Sequence, residues 1–270
     1  MSVFQVRTGD RVTDIGHGAS FLIAECCNNF QGSIGIAEEM IEAARVAGAH
    51  AVKFQHRGRL TFDQLQHLRT RAIGAGLHFL CTGYSTDGQD DLIRMGLVQT
   101  LKIGSAEATD FNLLRYVASH HIPTIVSTGC MTAMDVHSIV EIFHKADTPL
   151  ALMHTVSIYP TPIEQANLCA FQETLVLHHM PQAFGYSDHT ATIEAVTASI
   201  VLGAQLVEMH FTLSRNLPGP DQCVSFEPPE FASIARFARA WPTMRDNPRK
   251  EPLPEERTKI DLFRKEEWRR

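Results

Sequence analysis

Residues 21–55 read FLIAECCNNFQGSIGIAEEMIEAARVAGAHAVKFQ, and their pattern decides the fold. FLIAECC (21–27) and AVKFQ (51–55) are short β-rich runs. Between them, IGIAEEMIEAARVAG (34–48) changes to a helical period in which Ile36, Met40, Ala43 and Ala44 share one face. Gly48 stands where a helix C-cap belongs. A strand, a helix and a second strand in succession form a βα unit of a parallel sheet.

The alternation continues outward from this stretch. HFLCTGY (78–84), TLKIGSA (100–106), TIVSTG (124–129), PLALMHTV (149–156), QAFGYSD (182–188) and LVEMHFT (206–212) are further β-rich runs. The helical period returns in TIEAVTASIVLG (192–203), with Ile193, Val196, Ile200 and Val201 on one face and Gly203 at the cap position. Eight strand–helix units between Phe21 and about Trp241 match an α/β fold of the (β/α)8 TIM-barrel type, and an open doubly wound sheet is the alternative. A short N-terminal extension, MSVFQVRTGDRVTDIG (1–16), precedes the first unit and has no apolar core of signal-peptide length. From Asp246 a charged tail takes over, with Pro248, Pro252 and Pro254 followed by the amphipathic stretch DLFRKEEW (261–268). The expected organisation is a barrel domain over 1–245 and a tail with a short helix over 246–270.

At 270 residues and 44% apolar side chains, the chain can bury a sizeable core, and 20% charged residues belong to a globular protein. The net charge of −6 supplies no basic field for nucleic acid or anionic lipid, and no run of ~18 apolar residues would span a membrane. Cys26, Cys27, Cys81, Cys130, Cys169 and Cys223 are scattered, with no CxxC pair. They are expected to be reduced and mostly buried, in a cytoplasmic setting.

Barrel enzymes draw their reacting groups from the C-terminal ends of the strands, and the polar residues gather there. Lys53 and Lys102 stand inside otherwise apolar strands, where a lysine needs an anion to meet. With Thr82, Ser105, Ser127 and Ser187 they make a receptor for phosphate or carboxylate, unless each lies at an edge or pairs with Glu25 or Glu107. His189 and His210 end consecutive runs, which brings two imidazoles within reach of one divalent cation, with manganese, iron or zinc favoured over calcium. In a chain with fourteen histidines, a chance pair is the competing reading. His120, His121, His178 and His179 read as solvated groups near helix ends. Glu25, Glu107 and Glu208 are candidates for acid–base work or for salt bridges, and alternation puts Glu208 on the same side as His210. Asp188 points to the opposite face of its strand and reads as structural, and Cys26–Cys27 reads as packing. Neither GxxxxGK[ST] nor GxGxxG occurs, so neither common nucleotide site has support.

Eight strings in order, IAECCNNFQGS, AGAHAVKFQ, LKIGSAEATDFNLL, PTIVSTG, HTVSIYPTP, GYSDHT, EMHFT and GPDQCVS, resemble the sialic acid synthase (N-acetylneuraminate synthase) family over nearly the whole barrel. The resemblance implies a barrel that condenses phosphoenolpyruvate with the aldehyde of an open-chain sugar or sugar-like compound. The products would be a 2-keto-3-deoxy acid and phosphate, and the cofactor a divalent metal, typically manganese. Carried over residue by residue, it implies a phosphoenolpyruvate pocket of Lys53, Thr82, Lys102, Ser105, Ser127, Tyr159 and Ser187. It implies His189 and His210 as metal ligands, and Gln55, Glu107, Tyr159 and Asp221 as acceptor contacts. Glu25, Glu107, Lys53 and Lys102 would be the catalytic groups, with Glu25 nearest the reacting carbons.

The chain also departs from the family. Cys27 and Phe30 replace the glycine and histidine of the first motif, Glu-x-Gly-x-Asn-His-x-Gly, and Ser157 stands where an asparagine precedes Ile-Tyr-Pro. The segment between Gln55 and Thr82 is shortened. The family's C-terminal antifreeze-like domain, through which its members pair and reach the sugar's N-acyl group, has no counterpart before Arg270. The resemblance therefore implies the reaction type and leaves the acceptor open, and a homodimer would need another surface. A non-catalytic barrel subunit, and the same scaffold doing lyase or hydrolase chemistry, are the other readings.

Overall fold

The computed structural model describes residues 3–16, 18–56, 60–170, 181–245, 250–257 and 259–260. Strands β1 (Gln5–Thr8) and β2 (Arg11–Asp14) form an antiparallel hairpin. The next eight are β3 (Phe21–Cys27), β4 (Ala51–Gln55), β5 (His78–Thr82), β6 (Leu101–Ile103), β7 (Thr124–Ser127), β8 (Leu150–His154), β9 (Ala183–Asp188) and β10 (Leu206–His210). They pair in parallel in chain order, and β10 closes the ring on β3, with Leu206 opposite Phe21 and His210 opposite Glu25. The closed barrel is therefore correct and the open sheet is excluded. Several strands end before the apolar runs do, because the chain must turn off the barrel to reach its helices. Tyr84 lies past β5 with φ 64°, and Ser105 opens the short helix Ser105–Ala108.

Alternation along each strand sorts side chains between two cores. Outward-facing Leu22, Ala24 and Cys26 of β3, Val52 and Phe54 of β4, and Val207 and Met209 of β10 join the apolar layer beneath the helices. Inward-facing Phe21, Ile23, Ala51, Leu80, Ile125, Ala151, Met153, Ala183 and Leu206 fill the lower barrel. Farther along the same inward rows the side chains turn polar: Glu25, Lys53, Thr82, Ser127, Ser187 and Glu208 are all buried. The interior is thus apolar at the strand starts and charged at the strand ends.

The hairpin closes the lower end, where the sequence shows only an extension. Phe4, Val6 and Ile15 join the interior apolar cluster. Backbone and side-chain bonds tie them in place: Arg7 N–H donates to Thr100 Oγ1 at 2.8 Å, and Phe79 N–H donates to Thr8 Oγ1 at 3.2 Å. Thr13 Oγ1 lies 2.8 Å from His78 Nε2.

Two helical faces differ from the sequence reading. Ser33 caps the helix Ile34–Ala47 at its start, and Gly48, with φ 90°, ends it as expected. Its buried face is Ala37, Met40, Ile41, Ala44 and Ala47, and Ile36 and Ala43 are only partly covered. In the helix Ile193–Val201, Val196 and Ile200 are buried, but Val201, a further 100° round the axis, is 46% exposed. The cysteines also split: Cys26, Cys27 and Cys81 are buried in strands, whereas Cys130, Cys169 and Cys223 lie outside the strands and are exposed. The expectation of mostly buried thiols therefore holds for only half of them. The stretch 261–268, expected as an amphipathic helix, lies outside the described residues, as do His178 and His179. No helix among the described residues is long and apolar enough to cross a membrane.

His78, packed edge-on to Phe21 beneath the hairpin, has its pKa lowered by burial from 6.5 to about 4. Between those values the unfolded chain binds a proton that the folded chain refuses, so stability falls as pH drops through the window. At pH 5 this site alone should cost of order 2 kcal/mol relative to pH 7. Urea unfolding of His78→Gln at pH 7 and pH 5 should show a smaller acid loss than the unsubstituted protein; an equal loss would remove His78 from the account.

Candidate active site

The ends of the barrel strands enclose a cavity of about 440 Å³. At its floor four charges meet. Lys53 is ion-paired with Glu25, lies 3.2 Å from Glu208 Oε1, and donates to Thr82 Oγ1 at 3.4 Å. Lys102 donates to Ser127 Oγ at 2.8 Å and lies 3.7 Å from the same Glu208 oxygen. Ser187 donates to that oxygen at 3.4 Å. Lys53 therefore pairs with Glu25, as the competing reading allows, whereas Lys102 meets Glu208 rather than Glu25 or Glu107, and both lysines line the cavity.

The four groups are not equally satisfied. Burial opposes the charge on Glu208, but the flanking Lys102 and Lys53 outweigh it and hold this carboxyl well below the usual range. Burial likewise opposes the charge on Lys53, yet the Glu208 and Glu25 carboxylates drive its pKa well up. Lys102 goes the other way: burial, with Lys53 beside it, outweighs Glu208 and lowers its pKa. Lys102 is thus the under-compensated cation, where an added anion would be most stabilised.

Hydroxyls and a backbone amide form the wall next to Lys102. Gly129 N–H donates to Ser105 Oγ at 3.0 Å. A Cβ on Gly129 would lie 2.1 Å from Ser157 Oγ, so only glycine lets the backbone come this near. Ser157 Oγ is itself buried without a hydrogen-bond partner. Orphaned polar groups are rare in folded proteins, and one in the same cavity as an under-compensated ammonium suits an anionic oxygen.

The opposite rim is built of imidazoles and softer donors. The His189 and His210 rings are 5.5 Å apart, and Tyr159 covers His189 with ring centroids 3.9 Å apart. His189 Nδ1 lies 2.7 Å from the Val156 carbonyl, which can only accept, so Nδ1 carries the proton and Nε2 keeps its lone pair. Burial, reinforced by His210, lowers its pKa to about 3 and keeps the ring neutral. His210 Nδ1 is buried without a partner. The ligand atoms of Cys27, His210 and Asp221 all lie within 4.8 Å of one another. Sulfur, imidazole nitrogen and carboxylate oxygen around an unpartnered ring nitrogen fit a divalent transition cation.

Of the residues singled out from the sequence, all but Glu107 line this cavity. Glu107 lines an adjoining pocket that shares Tyr84 and Ala106 with it. One of its oxygens accepts Gly104 N–H at 2.8 Å, the other has no partner, and burial raises its pKa. Asp188 sits behind the wall and accepts from the hydroxyls of Tyr186 and Thr190 and from Ala191 N–H, as its structural reading requires. Sequence reasoning missed Thr155, and it read Cys27 as packing because no histidine adjoins it in sequence and its strand lies beside Lys53. The signal was present in the period of two: if Glu25 faces inward, so does Cys27. A groove of about 500 Å³ between the helices Phe111–Ala118 and Ala133–Lys145 lies on the outer wall, where Lys145 is already paired with Glu141.

Comparison with known proteins bears on the site as a whole. A family model described as the NeuB family matches residues 56–250. The chain is 30% identical to the N,N'-diacetyllegionaminic acid synthase of Legionella pneumophila over 273 residues, covering 87% of this chain and 76% of the relative. It is 32% identical to the N-acetylneuraminate-9-phosphate synthase of Drosophila melanogaster over 247 residues, covering 79% and 66%. A crystal structure of an N-acetylneuraminic acid (sialic acid) synthetase from Leptospira borgpetersenii, in complex with citrate, superposes with a TM-score of 0.84 at 28% identity over 97% of this chain and 99% of that one.

The charge quartet makes a prediction independent of any reaction. Lys53→Met leaves Glu25 and Glu208 buried with one lysine fewer and should destabilise the fold by about 3–5 kcal/mol in urea unfolding at pH 7. A loss below 1 kcal/mol would mean that the carboxylates are solvated.

Proposed function

Because the chain belongs to the NeuB family and is a sialic-acid-synthase-like condensing enzyme, we propose that it joins phosphoenolpyruvate to the aldehyde of an open-chain sugar or sugar-like acceptor. A divalent cation assists, and the products are a 2-keto-3-deoxy acid and phosphate. The observation that carries this reading is the two-ended cavity, with an anion receptor around Lys102 on one side and imidazoles with a carboxylate on the other. A reaction between an anionic donor and a carbonyl acceptor needs those two ends within one enclosure.

In this reading Lys53 and Lys102, with Thr82, Ser105, Ser127 and Ser187, hold the phosphate and carboxylate of phosphoenolpyruvate, and Tyr159 packs over it. Gln55, Tyr159 and Asp221 face the acceptor, while Glu107 borders it from the adjoining pocket. His189 and His210 hold the cation, manganese being the ion the resemblance implies. When bound, that ion supplies Lewis acidity at the acceptor carbonyl. The methylene carbon of phosphoenolpyruvate bonds to the carbonyl carbon, and the acceptor oxygen takes up a proton. Water adds at the cationic C2 and gives a proton to Glu25, whose charge also stabilises C2. The C2–O bond to phosphate then breaks, and loss of the remaining hydroxyl proton leaves the ketone. The lysines and hydroxyls contribute by fixing attack geometry and neutralising the departing phosphate. Residues 1–245 act as one synthase domain, 246–270 as a tail, and the setting is cytoplasmic.

Calorimetric titration of phosphoenolpyruvate in the presence of manganese should show binding that Lys102→Ala removes. With phosphoenolpyruvate carrying three labelled carbons and a panel of aldoses, mass spectrometry should find a product that retains all three labels. His189→Ala should lower kcat/KM for phosphate release by at least about 100-fold without unfolding the protein. A labelled product that never forms while phosphate is released would replace condensation with hydrolysis.

A further inference from the structure

We propose that Cys27 is a thiolate ligand of the cation site, so that this chain holds its ion through sulfur as well as imidazole and carboxylate. The inference rests on the function proposed above and deepens its metal site. It also shifts the class of ion: a thiolate favours zinc, iron or cobalt, whereas manganese and magnesium prefer oxygen.

Three observations converge on the sulfur. Cys27 sits at a β-bulge, where the register between β3 and β4 slips from Glu25 opposite Lys53 to Cys27 opposite Phe54. Bulges re-aim side chains and gather beside active sites. Its φ of 38° falls in the left-handed region that favours glycine, at a cost of about 1–2 kcal/mol for any other L-residue. A cysteine retained there against that strain invites a role for its side chain.

Packing does not supply that role. Cys26 and Cys81 belong to the apolar layer under the helices, whereas Cys27, though fully buried, belongs to neither apolar cluster. Its neighbours are instead the His210 ring and the Asp221 carboxylate, with the three ligand atoms inside 4.8 Å. Metal–sulfur bonds of about 2.3 Å and metal–nitrogen or metal–oxygen bonds of about 2.0–2.2 Å put donors of one tetrahedral ion ~3.5 Å apart, so a contraction of roughly 1 Å suffices. His189 can close the set, since Val156 occupies only its Nδ1.

Charge favours the same arrangement. Lys53 and Lys102 already balance Glu25 and Glu208. A dication bound at Cys27 would displace the thiol proton to solvent, and the sulfur and carboxylate donors would then offset charge that imidazoles alone leave uncompensated beside two ammonium groups.

The test uses cobalt(II) as the probe, added to the metal-free full chain and read by near-ultraviolet absorption. One equivalent should produce a thiolate-to-cobalt charge-transfer band that is absent in Cys27→Gly and Cys27→Ser and present in Cys223→Ser. Cys27→Gly suits the local φ and should fold, and it should bind cobalt at least about tenfold more weakly by calorimetry. Stoichiometric cobalt binding without the band overturns the thiolate and leaves the condensation reading standing. If cobalt does not bind at all, the thiolate assignment and the cation-assisted step fall together.

Discussion

Two ammonium groups and two carboxylates share the top of a closed barrel, and everything above them depends on that arrangement. Glu208 lies between Lys53 and Lys102, and Glu25 is paired with Lys53. Each charge would be intolerable alone in this interior, and together they leave Lys102 the least compensated. The closed barrel makes this possible by turning four strands toward one interior: β10, β3 and β4 lie side by side, and β6 brings Lys102 from across β5. Parallel pairing places Glu25 opposite Lys53, so the register that closes the ring also assembles the charges.

The fold was legible because a parallel strand covered on both faces reads as a short apolar run, and eight such runs alternate with helical periods. The same logic exposed Lys53, Lys102, His189 and His210, since each is out of place in the run that carries it. What stayed hidden was set by geometry that pattern does not encode. The hairpin 5–14 has ordinary polar spacing, and only its contacts with Thr100, Phe79 and His78 make it a plug. Glu107 carries the right charge at the right strand end, but the chain has already turned into a helix there, and the side chain caps Gly104 beside the main cavity. Cys27 looked like packing because no histidine adjoins it in sequence, whereas the fold brings His210 and Asp221 beside it.

The resemblance and the geometry carry different parts of the functional reading. Kinship with the NeuB family fixes the type of enzyme. Of the departures that the sequence resemblance suggests, Ser157 lies beside Gly129 and Cys27 near His210 and Asp221, whereas Phe30 joins the apolar layer under the helices.

The hairpin also has a kinetic meaning. Because Phe4, Val6 and Ile15 stopper the lower end, the barrel is a blind vessel with one opening. Gln55 and His210 each stand two residues beyond Lys53 and Glu208 on their strands, and His189 just past the end of its own, about 5 Å nearer that opening once the strand tilt is allowed for. Whatever occupies the lysine level must enter before anything occupies the imidazole level, and it must leave after it. On the condensation proposed above, traffic would therefore be ordered by depth, with the anion first in and phosphate last out.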